Sequence, residues 1–209
     1  MLHNYVDKAV VINLDRRPGR LEQFKSRLDK IDPALFLSID KFSAIDGKSL
    51  GEKDPRKAAQ NGCKESHLQI LKDAKKNGHR NIMVFEDDAT FSKTFTTDLD
   101  SFLAKVPSDW DMIYLGGNYW GKEHLTDNVF QVTALALHGY IIQQSLYDYI
   151  IDKVSLIDLP IDVLYRDYVH MNPKYNTYGC YPQIVGQAAG YSDIEQYDVD
   201  TRSILGHVE

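Results

Sequence analysis

The sequence predicts an α/β domain with a largely parallel central sheet flanked by helices, on three observations. Short apolar runs at residues 8–14, 81–85 and 111–115 read as buried strands. Segments whose apolar residues recur every three or four positions alternate with them, which is the pattern of strand–helix–strand units. At 209 residues the chain is long enough to bury a core, and we expect one domain whose second half, 118–209, decorates its first, 1–117.

The first strand is followed by the breaker-rich Asp15-Arg16-Arg17-Pro18-Gly19, then a helix carrying Leu21, Phe24, Leu28 and Ile31. Residues 35–44 read as a second strand closed by an Asp46-Gly47 turn, and 48–60 as a charged loop. Cys63, His67, Ile70, Leu71 and Ala74 share one helical face, with Asn61 as N-cap and Asn77-Gly78 as the stop. A strand at 81–85 runs into Glu86-Asp87-Asp88, and Leu99, Phe102 and Leu103 mark another helix. The strand at 111–115 is expected to end at Gly116-Gly117. Residues 129–142 are rich in β-branched side chains and read as a long strand. Ser145 is placed as the cap of a helix using Leu146, Tyr149, Ile150 and Val154, and Pro160 as the start of a short helix. The polar tail from Gly190 reads as loop.

Charge excludes one class of function. Twenty-four Lys and Arg against 30 Asp and Glu leave a net charge of −6, with no basic run to track a polyphosphate backbone, so nucleic acid is not an expected partner. No apolar run approaches the ~20 residues of a membrane span, and residues 1–7 lack signal-peptide features, so the expectation is a cytoplasmic chain with no integral membrane segment. Cys63 and Cys180 have no metal-ligand spacing and read as free thiols.

The sharpest chemical feature is Glu86-Asp87-Asp88 at the carboxyl end of a strand, where open α/β sheets bind ligands. Side-chain alternation points Glu86 and Asp88 the same way, able to share a hard cation such as Mg²⁺ or Mn²⁺, with Asp87 on the other side or in the loop. The same triplet also reads as a solvated acidic turn. Arg16, Arg17 and Arg20 follow the first strand; guanidinium groups there suit a diphosphate, or else form an exposed first helical turn. His67 reads as a packed or hydrogen-bonded helix residue, and Asp162 as a first-turn carboxylate favoured by the helix dipole. Twelve of the 13 tyrosines lie from Tyr114 onward, an aromatic supply suited to sugar rings.

Taken in order, Val11-Ile12-Asn13-Leu14-Asp15-Arg16-Arg17-Pro18-Gly19-Arg20, Ala44-Ile45-Asp46-Gly47, Gly62-Cys63-Lys64-Glu65-Ser66-His67 and Val84-Phe85-Glu86-Asp87-Asp88 resemble glycosyltransferase family 25. That family includes lipooligosaccharide and procollagen galactosyltransferases. The resemblance continues through 110–116, 138–142, 159–162 and 191–195, nearly the whole chain. It implies a GT-A-type fold, a UDP-galactose or UDP-glucose donor, inversion at the anomeric carbon, and a glycan or hydroxylysine-type acceptor. It implies that Glu86 and Asp88 hold Mn²⁺ or Mg²⁺ with Asp87 nearby. It further implies that Arg16, Arg20, Asp46, Ser66 and Asp87 serve the donor, and that Asp162 acts as general base, with Asp193 ranked below it. Lys64 and Glu65 depart from the small residues of the family motif. A silent carbohydrate-binding protein and a nucleotide-sugar hydrolase are the rival readings.

Overall fold

The computed structural model describes residues 2–200. Its central sheet has six strands: β1 (Lys8–Asn13), β2 (Asp40–Ser43), β3 (Asn81–Glu86), β5 (Met112–Thr126), β6 (Val129–Gln143) and β7 (Thr177–Cys180), in the order β2-β1-β3-β6-β5-β7. β1 pairs parallel with β2 and β3, and β5 parallel with β7. β6 runs antiparallel to β3, β5 and β7, so it is the reversed strand in an otherwise parallel sheet. Two small antiparallel pairs stand beside it: β4 (Ala89–Phe91) with β8 (Val185–Gln187), and β9 (Gly190–Ser192) with β10 (Tyr197–Val199).

Strand alternation sorts the core onto two faces. Met83, Phe85, Ile113, Leu115 and Ile141 pack on one side against Phe24 and Leu28 of α1 (Pro18–Asp29), Leu35 of α2 (Pro33–Phe36), and Phe95, Leu99 and Phe102 of α4 (Phe95–Leu103). Ile82, Val84, Met112, Tyr114, Tyr140 and Ile142 pack on the other against Leu68, Ile70, Leu71 and Ala74 of α3 (Pro55–Lys76). Ile150 and Val154 of α5 (Tyr147–Leu156) and Leu164 of α6 (Ile161–Tyr165) complete that side. The sheet is thus flanked by helices on both faces.

Several boundaries differ from the sequence expectation, each for a local reason. Residues 35–44 are not one strand: Asp32 accepts a hydrogen bond from the Ala34 N–H and Pro33 opens α2, leaving only 40–43 extended. α3 begins at Pro55, capped by Asp54 on the Lys57 N–H rather than by Asn61, so much of the expected 48–60 loop is helix. β5 does not stop at Gly116-Gly117. A Cβ on Gly116 would lie 1.7 Å from the Val185 carbonyl oxygen, so glycine here permits close backbone approach within an irregular strand whose register shifts on both sides of it. Ser145 donates to Asp111 Oδ1 at 2.6 Å instead of capping α5, which has no side-chain cap. Pro160 does precede α6, which continues into a π-helical turn over Arg166–His170. The tail from Gly190 forms the β9–β10 pair, and its remainder past Asp200 lies outside the described residues. Among the described residues no helix is long and apolar enough to cross a membrane.

Candidate active site

The carboxyl ends of β1 and β3 lie side by side, with Ile12 opposite Glu86, and the loops that leave them build the site. Glu86 continues the face of Ile82 and Val84 and turns toward α3, where its Oε1 lies 3.5 Å from His67 Nε2. β3 ends there, so strand alternation no longer governs the next two residues. Asp87 and Asp88 therefore do not diverge as alternation predicts: Arg20 Nη2 lies 2.7 Å from Asp87 Oδ1 and 2.7 Å from Asp88 Oδ2. The Asn13 amide donates to Asp87 Oδ2 at 2.7 Å, Arg27 donates to the Asp87 carbonyl at 2.6 Å, and Gln187 donates to Asp88 Oδ2 at 3.2 Å. Asp88 Oδ1 is buried and, among the described residues, has no hydrogen-bond partner.

The electrostatics follow from crowding three carboxylates in a half-sheltered place. Burial raises the Asp88 pKa to about 6, helped by the charge of Glu86 and opposed by Arg20. Burial also raises Asp87, again against Arg20. Burial works against the charge of Glu86 too, but His67 beside it, joined by His138 and Arg20, more than offsets this and holds it below the usual carboxylate value. Arg20 is desolvated, yet Asp88, Asp87 and Glu86 keep its pKa above the ordinary arginine value. Negative charge in excess of its cationic partners, hard oxygen donors and an unpartnered oxygen at Asp88 fit a hard divalent cation at this triplet.

Arg16, Arg17 and Arg20 line a cavity of about 370 Å³ with Asp46, Ser66 and the acidic triplet. Arg16 Nε donates to Asp46 Oδ2 at 2.6 Å, and Arg17 Nη2 lies 2.8 Å from Asp193 Oδ1. Asp46 also accepts from the Lys48 N–H. Ser66 is buried and its hydroxyl is spent, accepting from the Ile45 N–H at 2.8 Å and donating to the Gly62 carbonyl at 2.7 Å, so it seats the 45–47 loop on α3. The two glycines of those motifs allow the same contact: a Cβ on Gly47 would lie 1.6 Å from Ala58 O, and one on Gly62 2.6 Å from Gly47 N.

Asp162 lines a second cavity, of about 580 Å³, which shares Arg17, Arg20 and all three acidic residues with the first. Its Oδ1 accepts from the Val163 N–H at 2.8 Å and its Oδ2 from the Ala136 N–H at 3.3 Å. Ala136 has φ of 64°, a left-handed conformation costly for a residue with a Cβ, and it points its N–H at this carboxylate. Asn13, Arg27, Gln187 and Ala136 escape the sequence reading. Asn13 and Arg27 do lie on the strand and helix that bracket the arginine loop, but nothing in sequence marks Gln187, 99 positions from Asp88, or the backbone of Ala136.

A family model described as glycosyltransferase family 25 (LPS biosynthesis protein) matches residues 6–136, more than half of the chain. The chain is similar to the human inactive glycosyltransferase 25 family member 3, at 30% identity over 156 residues, which is 64% of this chain and 25% of that protein. It is similar to the bovine probable inactive member 3, at 30% over 132 residues (53% and 22%), and to Xenopus laevis procollagen galactosyltransferase 1-A, at 29% over 132 residues (53% and 21%). The chain thus spans about a quarter or less of these relatives' length. Among solved structures, a glycosyltransferase involved in glycosylation of the major capsid of PBCV-1 superposes with a TM-score of 0.55 at 9% identity, covering 90% of this chain and 95% of that one, a likeness of fold.

Proposed function

This chain belongs to glycosyltransferase family 25, and we propose that it transfers a hexose, galactose or glucose, from a UDP-sugar to a hydroxyl of a glycan or hydroxylysine-type acceptor, with inversion. The observation that carries this reading is the pair of adjoining cavities sharing Glu86, Asp87 and Asp88, one lined by arginines and the other by Asp162. Donor and acceptor sites of a transferase must meet in this way at the bond that is exchanged.

Glu86 and Asp88, with Asp87 nearby, would hold Mn²⁺ or Mg²⁺, which when bound supplies positive charge against the diphosphate leaving group. Arg16, Arg17 and Arg20 add guanidinium donors on the same side, and Asp46 orients Arg16. Asp162 accepts the proton of the attacking hydroxyl from the face opposite the leaving group; its two backbone hydrogen bonds fix the carboxylate while leaving lone pairs for that proton.

The test is incubation with Mn²⁺ and a panel of UDP-sugars, measuring UDP release with and without glycan and hydroxylysine-peptide acceptors. Acceptor-stimulated release supports the transferase, and release of free sugar without stimulation points to a hydrolase. A second reading is favoured by a specific observation: relatives at 30% identity are named inactive, and here Arg20 bridges Asp87 and Asp88. Sugar or UDP binding with no release on any acceptor would support that silent, carbohydrate-binding form.

A further inference from the structure

One buried group at the site has no role in the transfer chemistry. His67 is 1% exposed, and among the described residues its Nε2 has no hydrogen-bond partner. That nitrogen is 3.5 Å from Glu86 Oε1, and together with the Cys63 thiol the three donor atoms lie within 4.8 Å of one another. A separation of 3.5 Å is long for a hydrogen bond between nitrogen and a carboxylate. It is close to the ~3.3 Å expected between nitrogen and oxygen donors bound tetrahedrally to one zinc ion.

We infer that Cys63, His67 and Glu86 form a binding site for a borderline divalent cation of the zinc type, distinct in its donors from the oxygen-only set of the acidic triplet. A sulfur, an imidazole nitrogen and one carboxylate oxygen are the ligands such ions prefer, and Mg²⁺ does not. The other ring nitrogen is already held: His67 Nδ1 is 2.8 Å from the Tyr140 hydroxyl, and the two rings stack at 5.7 Å. With the ion on Nε2, Nδ1–H donates to the Tyr140 oxygen, which fixes the tautomer and the ring plane. Cys63 and Glu86 line both cavities, so the fourth position opens to solvent. Burial, with the charges of Glu86, Asp162 and Asp88, holds the Cys63 thiol well above its usual pKa; ion binding forms the metal–sulfur bond and releases that proton to solvent. The inference does not depend on sugar transfer. Because Glu86 is common to both ligand sets, a zinc-type ion here competes with Mn²⁺ or Mg²⁺ at the triplet.

The test is titration of the reduced, metal-free protein with CoCl₂, read as thiolate-to-cobalt charge-transfer absorption. We expect one equivalent per chain, release of one proton per ion from the thiol, and loss of the band on adding ZnCl₂. Tyr140→Phe should weaken binding ~10-fold or more. Cys63→Ser should lose the band, whereas Cys180→Ser, whose thiol donates to the Leu115 carbonyl, should keep it. Absence of the band at saturating cobalt, or its persistence in Cys63→Ser, overturns the site and leaves His67 as a packed residue held by its hydrogen bond with Tyr140. Should Cys63→Ser fail to fold, alkylation of Cys63 in the wild-type chain decides: zinc should abolish it, and an unchanged rate overturns the site. None of these readings needs turnover, so a failed UDP-release assay leaves them intact, and their failure leaves that assay intact.

Discussion

Asp88 carries opposite demands from function and stability. Its pKa of about 6, raised first by burial and then by Glu86, means the folded chain disfavours its charge relative to the unfolded chain, where a carboxylate titrates near ~3.9. At pH 7 that charge costs roughly 3 kcal/mol of stability. Asp88→Asn should therefore raise the denaturation midpoint of the metal-free protein while weakening Mn²⁺ binding by more than the ~10–100-fold typical of outer-shell losses. Calorimetric titration with MnCl₂ and urea unfolding of the same variant check both halves; unchanged metal affinity would remove Asp88 from the ligand set. Asp162 is different, because among the described residues its carboxylate accepts from two backbone N–H groups and pairs with no cation. Asp162→Asn should fold, bind UDP normally and lose ~10²–10⁴-fold in kcat. Normal turnover in that variant would exclude it as the base. The acidic triplet was legible because three carboxylates after an apolar run are conspicuous. Its partners were less so: the pairing of Asp87 with Asp88 across Arg20 depends on β3 stopping at Glu86, a boundary that apolar periodicity does not fix to one residue.

At the scale of elements, the site depends on how closely α3 and the 45–47 loop approach. Gly62 has no room for a methyl group: a Cβ would lie 2.6 Å from both Gly47 N and Ile45 O, which are backbone atoms that cannot swing away. Gly62→Ala should cost about 1–3 kcal/mol, the range for overpacking a tight contact. It should also push Asp46 off Arg16 and raise the KM for the donor more than it lowers kcat, which steady-state kinetics would separate. Ser66→Ala should act in the same direction by leaving the Ile45 N–H without its acceptor. The central strands were readable as short apolar runs because helices cover both faces of the sheet, and the main helices from a 3.6-residue period because one face of each is buried. The start of α3 was missed because residues 48–60 carry no apolar period and read as a charged loop, although Asp54 before Pro55 is a local start signal: its side chain accepts from the Lys57 N–H. The small residues of the Asp-Gly and Gly-Cys motifs looked like turn and motif markers in sequence. In the fold they permit backbone contact between segments 15 positions apart.

For the whole molecule, pH should act through buried histidines rather than through the net charge of −6. Burial lowers the pKa of His138 to about 4 and of His170 to about 3, against a usual value near ~6.5. Each is a base whose folded-state pKa is depressed, so the unfolded chain binds its proton first. The stability is fully present above pH ~6.5 and is lost as pH falls toward 4 and 3. Asp88, and Asp87 in the same direction, oppose this, because a raised carboxylate pKa means the folded chain takes up its proton more readily as pH falls through about 6. Between pH 6.5 and 5 the histidines together cost roughly 3 kcal/mol and Asp88 returns roughly 1, leaving a net loss of roughly 2 kcal/mol. Urea unfolding at the two pH values measures this, and a flat profile would refute it. His170→Asn, which can keep an acceptor for the Ala134 N–H, should remove about half of the histidine cost. Saturating Mn²⁺ should steepen the loss instead, because an ion on the triplet favours the ionised carboxylates and so must be given up as they take on protons.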